Sequence, residues 1–491
     1  RPRILFLAPM HLAISLRILG LLLTLFSSAM LLPLLFAVVV GDDTVGGFLS
    51  GFGITASAGL LLWLPLRGAR RELRIRDGFL ITALFWTVLG LFGALPFALT
   101  DSLAVKPIDA VFESISGLTT TGATVLVGLD DLPRSLLLYR QLLQWLGGIG
   151  IIVVAVAVLP MLGVGGMQLY RAETPGPSKD SKLTPRIAET AKALFIVYML
   201  LTLTCAAAYR AAGMSGFDAV CHAFSTVAIG GFSTHDASMG YFQSNTILLV
   251  CTLFMFVSAI NFGMHYTAWK RRSLGHYRED SETRFFASAM LVCTSATCAY
   301  LIASDTLAPE NGIVHGLFQA VSITTTTGFA TQDFAAWPGF LPMMLLMFSF
   351  MGGCVGSTGG GIKAMRLMLI YKQGIRELKQ LIHPHAIIPL KVGNRRVEAK
   401  VVSAVWSFFA VYTFVFIVLM LVLMATGLDF LTAFSAMGAT LNNLGPGLGA
   451  VAANYGAIGD FAKGILCLAM LLGRLEVFTL LVLFTPMFWR Q

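Results

Sequence analysis

The chain has 491 residues and a mean hydropathy of +0.80; 56% of its residues are apolar and only 12% are charged. A soluble globular domain carries about 25% charged residues, so the composition excludes a soluble enzyme along with disordered, collagen-like and disulfide-stapled chains. The formal net charge of +9 falls in loops between apolar stretches, where membrane orientation explains it better than a nucleic-acid partner, and none is expected.

Apolar stretches long enough to cross a bilayer as helices, about 20 residues or more, are expected near 12–39, 46–66, 78–99, 136–164, 187–212, 243–269, 285–304, 338–375, 400–426 and 459–488. The fold class this predicts is an all-α polytopic membrane protein. The start is not expected to hold a cleavable signal peptide. Arg67 to Arg76 has five arginines in ten residues and should stay in the cytoplasm. Basic loops recur at Arg171–Lys192, Lys270–Arg284 and Lys372–Lys400. The opposite connections carry Asp101, Asp109, Asp130, Asp131, Asp218, Asp236, Asp305 and Asp333 instead. This charge pattern is self-consistent with about ten spans and both termini cytoplasmic.

Four of the outer connections resemble one another. They read Asp109-AVFESISGLTTTGA, Asp218-AVCHAFSTVAIGGF, His315-GLFQAVSITTTTGF and Thr432-AFSAMGATLNNLGP. Without gaps, each gives a short helix-compatible run and then a Thr/Gly/Asn cluster with Gly122, Gly231, Gly328 and Gly445 in register. A repeat of about 100 residues decides architecture. It predicts four helix–pore-loop–helix units in pseudo-fourfold arrangement, plus two extra N-terminal helices. The divisions are 1–76 for the appendage, then 77–170, 171–278, 279–384 and 385–491.

Non-helical backbone at membrane depth is tolerated only when buried or lining a watery cavity. Four such segments meeting on one axis could replace the water around a cation with carbonyl oxygens. Glycine allows the required backbone angles, and threonine hydroxyls could brace the loop or add ligands. Each half-helix would aim its negative end at the axis. The expected selectivity filter is Thr120, Thr121, Gly122; Ile229, Gly230, Gly231; Thr326, Thr327, Gly328; and Asn443, Leu444, Gly445.

The segments TTTGA at 119–123, IGGFST at 229–234, TTTTGFAT at 324–331 and LNNLGPG at 441–447 resemble the four filter segments of the TrkH/KtrB superfamily of potassium transporters. The Lys179–Lys192 segment and the extra N-terminal pair are similar to its TrkH branch. The resemblance covers essentially the whole chain. It implies a K⁺-translocating subunit of a bacterial inner-membrane uptake system, carrying K⁺ and Rb⁺ and usually homodimeric. It also implies a cytoplasmic TrkA-like ring that binds NAD(H) or adenine nucleotide. This chain holds no nucleotide-binding domain, so no organic cofactor is expected in it. One glycine per repeat in common register suggests less strict K⁺/Na⁺ discrimination than four identical filter strands give.

The stretch at 338–375 is too long for one crossing, and six glycines in ten residues from Gly352 to Gly361 cannot hold a helix. An unwound gate below the filter is expected at Gly356, Ser357, Thr358, Gly359, Gly360 and Gly361, and the resemblance implies a loop that obstructs the pore here. The run also mimics a phosphate loop, but Lys363 is misplaced for one. Lys363 is a second barrier charge or a snorkelling side chain. Arg474 in the last span could pair with Glu476 or cap carbonyls of the glycine run; the resemblance favours the pore side.

His383 and His385 have no partners for a metal site, and the seven cysteines read as packing residues. Glu113 either tunes cation access or bonds to a neighbouring unit. No catalytic constellation appears, so the chain is not read as an enzyme. The alternative to a gated pore is a proton- or sodium-coupled K⁺ symporter, which the near-absence of Asp and Glu from the spans disfavours.

Overall fold

The computed structural model describes residues 12–68, 75–153, 187–393 and 395–489. Most of the arginine cluster near 67–76 and the Lys179–Lys192 segment up to residue 186 lie outside them. The described chain is almost entirely helical, with one two-stranded hairpin pairing Lys391–Val392 with Arg395–Arg396. Among the described residues six helical stretches are long and apolar enough to cross a membrane, and up to eight if each of two bent helix pairs is one span. Only 28–44% of the most apolar window of each of the six is buried. Leu61, Leu291 and Phe414 face outward, whereas Glu113, Arg140, Gln144, His222, Gln319 and Lys463 are buried. Apolar outside and polar inside is the arrangement that lipid imposes.

The N-terminal pair, Leu12–Val40 and Val45–Leu66, crosses at two glycines. A Cβ on Gly20 or Gly59 would lie within 3.0 Å of the other helix's backbone. Small residues let backbones approach this closely, and dispersion then holds the helices together where lipid removes the hydrophobic drive.

Four units follow. The first has Asp77–Ala98, the short helix Pro107–Leu118 and Arg134–Val153. The second has Ile187–Ala211, the short Gly216–Ala228, and Asn245–Ser258 continued by Phe262–Arg271. The third has Ser281–Ala303, the short Pro309–Thr324, and Leu341–Ser349 continued by Ala364–Ile382. The fourth has Ala399–Ala425, the short Phe430–Leu441, and Asp460–Arg474 continued by Phe478–Leu481. The short helices start on ordinary N-terminal signals. Pro107 and Pro309 open the first and third, while Ser215 and Asp429 cap the N–H groups of Asp218 and Thr432.

The sequence predicts an interrupted closing helix only in the third unit, but among the described residues the second and fourth have one as well. The second bends by 94° and the fourth by 109°. In the second unit, Asn261 Oδ1 accepts from the Gly263 N–H at 2.7 Å and starts a new helix. Its freed backbone docks on the third unit's glycine run, with Phe262 N to Gly356 O at 3.0 Å and Cys354 N to Ala259 O at 2.8 Å. In the fourth, Glu476 and Val477 take positive φ. Neither break carries a run of glycines: the third unit satisfies the break in the second, and in the fourth the Val477 N–H returns to Leu472 O of its own helix at 2.8 Å.

Replacing Gly59 with leucine should lower the thermal midpoint in detergent, since overpacking costs about 1–3 kcal/mol. Gly53→Leu, where a side chain meets open space, should leave the midpoint unchanged.

Candidate functional site: a ring of four backbone segments

All four short helices end in one geometry. The N–H groups of Thr120, Ile229, Thr326 and Asn443 return to the carbonyls three residues back, at 3.0–3.1 Å. Those of Thr121, Gly230, Thr327 and Leu444 return five back, at 2.7–2.8 Å. This is a Schellman ending, which needs a left-handed residue at its turn. Thr120 (φ +50°), Ile229 (+55°), Thr326 (+66°) and Asn443 (+53°) supply it without being glycine. Left-handed backbone costs a non-glycine residue about 1–2 kcal/mol, and four such residues at equivalent positions mark stored strain. Two residues on, Gly122, Gly231, Gly328 and Gly445 are left-handed again, at +80° to +99°. The sequence reading places these four residues in the expected filter but not their left-handed backbone, because Thr, Ile, Thr and Asn share no side-chain signature for it.

The segments close into a ring in chain order. A Cβ on Gly122 would lie within 3.0 Å of the Gly230 carbonyl oxygen. Gly231 stands in the same relation to Thr327 O, Gly328 to Leu444 O, and Gly445 to Thr121 O at 2.7 Å. Any side chain there would strike a carbonyl of the next segment. Because the N–H groups are tied back into the helices, the ring presents carbonyl oxygens. The twelve expected filter residues are therefore brought together, and all lie in this ring.

Threonine hydroxyls brace it. Thr119 and Thr121 share a hydrogen bond at 2.8 Å, Thr325 and Thr327 another at 2.7 Å. Asn443 Nδ2 donates to Thr121 Oγ1 at 2.9 Å and so ties the fourth segment to the first. On the outer side, equivalent positions of the first three short helices hold the chain leaving their segments. Glu113 accepts from Thr124 Oγ1 and Val125 N at 3.0 Å; His222 Nε2 bonds Ser233 Oγ at 2.9 Å; Gln319 reaches Phe329 O at 3.4 Å. Glu113 also pairs with fully buried Arg140 at 2.7 Å, and Arg140 donates to Ser233 O of the second unit at 2.9 Å. Glu113 thus bonds to its neighbours rather than facing the ring. Lys463 on Asp109, 2.6 Å apart, joins the fourth unit to the first.

Beneath the ring lies the glycine run. Thr358 Oγ1 donates to Val227 O in the second unit at 2.9 Å. Gly360 N donates to Thr326 Oγ1 in the third at 2.7 Å, and Gly361 N to Asn442 O in the fourth at 3.0 Å. Arg474 donates to Thr120 Oγ1 of the first segment and to Thr358 O, the latter at 3.3 Å. Lys363 is turned inward and donates to Gly359 O. Glu476 pairs with Arg366 at 2.7 Å rather than with Arg474. Gly356 and Ser357 sit farther from the ring, against Asn261 and the Cys354 carbonyl. A cavity of about 50 Å³ lies below, lined by Gly359, Lys363, Tyr412 and Arg474 among others.

Among the described residues no group of three His, Cys, Asp or Glu side chains could hold a metal ion. The donor set at the ring is neutral oxygen, which suits a monovalent cation that must also leave. Buried Arg140, Gln144 and Tyr455 carry much of the support and escape the sequence reading. Arg140 and Gln144 sit in an apolar stretch and Tyr455 in the outer connection before the last helix, and only the fold brings each to the ring.

On the outer face His235 links two units. Its Nδ1 is 2.5 Å from Asp130 Oδ1, its Nε2 is 3.5 Å from Asp218 Oδ1, and its ring stacks on Tyr241 at 3.4 Å. Burial works against its charge, but the Asp218 and Asp130 carboxylates outweigh it and raise its pKa above the usual histidine value.

The comparisons with known proteins bear on the family. The family model described as "TrkH: Cation transport protein" matches residues 47–491. The Trk system potassium uptake protein TrkH of Halomonas elongata is 56% identical over 98% of this chain and 100% of its own length. That of Escherichia coli K12 is 53% identical over the same shares. The crystal structure of the potassium transporter TrkH from Vibrio parahaemolyticus superposes with a TM-score of 0.91, at 51% identity, over 98% of this chain and 100% of that one.

Truncating one partner of the buried pair, as in Glu113→Met, should cost about 3–5 kcal/mol in detergent unfolding; adding Arg140→Met should recover most of it. A histidine whose pKa is raised by folding stabilises fully below its unfolded value and loses that contribution as pH rises through the folded one. The thermal-midpoint gap between wild type and His235→Gln should therefore narrow from pH 5.5 to pH 8.5, and a constant gap would contradict the assignment.

Proposed function

The chain belongs to the TrkH family of cation transport proteins, and from that premise we propose that it is the K⁺-translocating subunit of a bacterial K⁺ uptake system. It works as a multi-pass pore in the inner membrane with both termini cytoplasmic. Residues 1–76 form an appendage, and 77–170, 171–278, 279–384 and 385–491 form four pore units. The observation that supports this most directly is the closed ring in which each glycine faces a carbonyl of the next segment. A K⁺ or Rb⁺ ion shedding water there exchanges it for these oxygens, and four helix C-terminal ends add negative potential. The chain moves its ion without chemical change, so it acts as a transporter and not as an enzyme.

The glycine run gates the path. It hangs by hydrogen bonds from the second, third and fourth segments, and Arg474 ties it to the first. A guanidinium below the ring repels a descending cation, and opening requires those bonds to part together. The Ala364–Ile382 helix continues directly from the run, so a cytoplasmic TrkA-like ring binding NAD(H) or adenine nucleotide can pull on the gate through it. The assembly is a homodimer.

The test is ⁸⁶Rb⁺ uptake into liposomes holding the purified protein, driven by a K⁺ gradient, with K⁺ and Na⁺ as competitors. K⁺ should compete far better than Na⁺. Gly328→Ser, whose side chain meets Leu444 O, should cut that preference about tenfold, the effect of losing roughly 1.4 kcal/mol of discrimination. Arg474→Gln should raise flux, and unchanged flux would remove its gating role. Uptake that appears only under an imposed proton or sodium gradient would replace the passive pore with a coupled symporter.

A further inference from the structure

Four segments of unlike sequence act as one ring only if each is stiff. The first and third stiffen themselves. Their hydroxyl pairs Thr119–Thr121 and Thr325–Thr327 are anchored where Thr119 and Thr325 donate to Ile115 O and Val321 O, at 2.7 and 2.8 Å. The second and fourth have no such pair, since Ile229-Gly230-Gly231 and Asn443-Leu444-Gly445 hold no threonine. In both, a buried side chain from outside the segment donates to a carbonyl of the segment. Gln144 Nε2 donates to Gly230 O at 2.6 Å. Its Oε1 accepts from Phe232 N at 3.1 Å and from Ser225 Oγ at 2.5 Å, which fixes the amide's orientation. Tyr455 Oη donates to Gly445 O at 2.8 Å, while its own N–H donates to Thr124 O of the first unit at 2.8 Å. Among the described residues, no side chain donates to the carbonyls of Thr121, Gly122, Thr327 or Gly328.

We infer that Gln144 and Tyr455 are positioning residues for ion selection, holding the Gly230 and Gly445 carbonyls in the two segments that lack a hydroxyl brace. This rests on the K⁺-pore reading above. A carbonyl oxygen has two lone pairs; the side chain takes one and leaves the other for the ion. An oxygen so tethered cannot follow a smaller ion inward, which is how a fixed ring penalises Na⁺. Released, the peptide after a glycine turns easily. The ring therefore has twofold stiffness within its fourfold plan: self-braced quarters alternate with quarters held from outside.

The Gly-Gly pair of the second segment has the same cause. Gly230 does not take positive φ, so its backbone alone would accept alanine. A Cβ there would instead lie within 3.0 Å of the Gln144 side-chain amide. Gly230 is glycine because Gln144 occupies that space.

The experiment measures K⁺ against Na⁺ competition for ⁸⁶Rb⁺ uptake in wild type, Gln144→Met, Tyr455→Phe, Gly230→Ala and the double variant Gly230→Ala/Gln144→Ala. Thermal midpoints in detergent, titrated with K⁺ and with Na⁺, give the same preference without flux. Gln144→Met and Tyr455→Phe should each lower the K⁺/Na⁺ preference about five- to tenfold, the scale of one lost hydrogen bond. Gly230→Ala should lower the midpoint. The double variant should regain the midpoint but not the preference, which separates positioning from folding. A wild-type preference for K⁺ that survives both Gln144→Met and Tyr455→Phe would overturn this inference and leave the pore reading standing. If Gln144→Met does not fold, Tyr455→Phe, which removes one hydroxyl, decides alone. A wild type with no K⁺ preference in either measurement would overturn both.

Discussion

Backbone that is not helical cannot sit inside a membrane with its polar groups unmet. Each of the four segments meets this constraint in the same way: the last N–H groups fold back onto the helix that precedes them, and the carbonyls are left over. The ring exists because four such leftovers face one another and glycine lets them close. Strain at Thr120, Ile229, Thr326 and Asn443 follows from the same geometry, as does the polar interior. Carbonyls in a ring must be held, and buried Glu113, Arg140, His222, Gln144 and Gln319 hold the backbone around them.

The units are equivalent in backbone and unequal in side chain. At one position of the short helix stand Glu113, His222, Gln319 and Ala436; where the first three sit, each bonds the chain leaving the ring with a different group. Below the ring the asymmetry is larger. One unit gives the glycine run, another the arginine, and the hydroxyls that receive them, on Thr326 and Thr120, are those of the strained left-handed residues. Ring and plug thus share atoms, so a change in one reaches the other through a single hydrogen bond.

The broken closing helices of the second and third units show the same economy. The break in the second unit is satisfied by the glycine run of the third, through Ala259, Asn261, Phe262, Cys354 and Gly356. The run in turn is held from the far side by Glu282, which accepts from Val355 N and Met365 N at 2.7 and 3.2 Å. An intramembrane loop with these partners is an ordered element of the fold.

Local sequence was enough for whatever depends on composition and register. Apolar length gave the six long helices, though not the ten unbroken spans it suggested; Gly122, Gly231, Gly328 and Gly445 gave the fourfold plan, and six glycines between Gly352 and Gly361 gave the break. Those features follow from helix length in lipid and from glycine's backbone freedom, which are properties of the chain itself. What only the tertiary structure decided is pairing across the repeats. Arg474 reaches Thr120, 354 positions away, and leaves Glu476 to Arg366. Gln144 reaches Gly230, Tyr455 reaches Gly445, and Asn261 breaks a helix that hydropathy reads as continuous. A polar residue inside an apolar stretch announces that it needs a partner, but which partner is fixed by how the helices pack, and no local pattern carries that information.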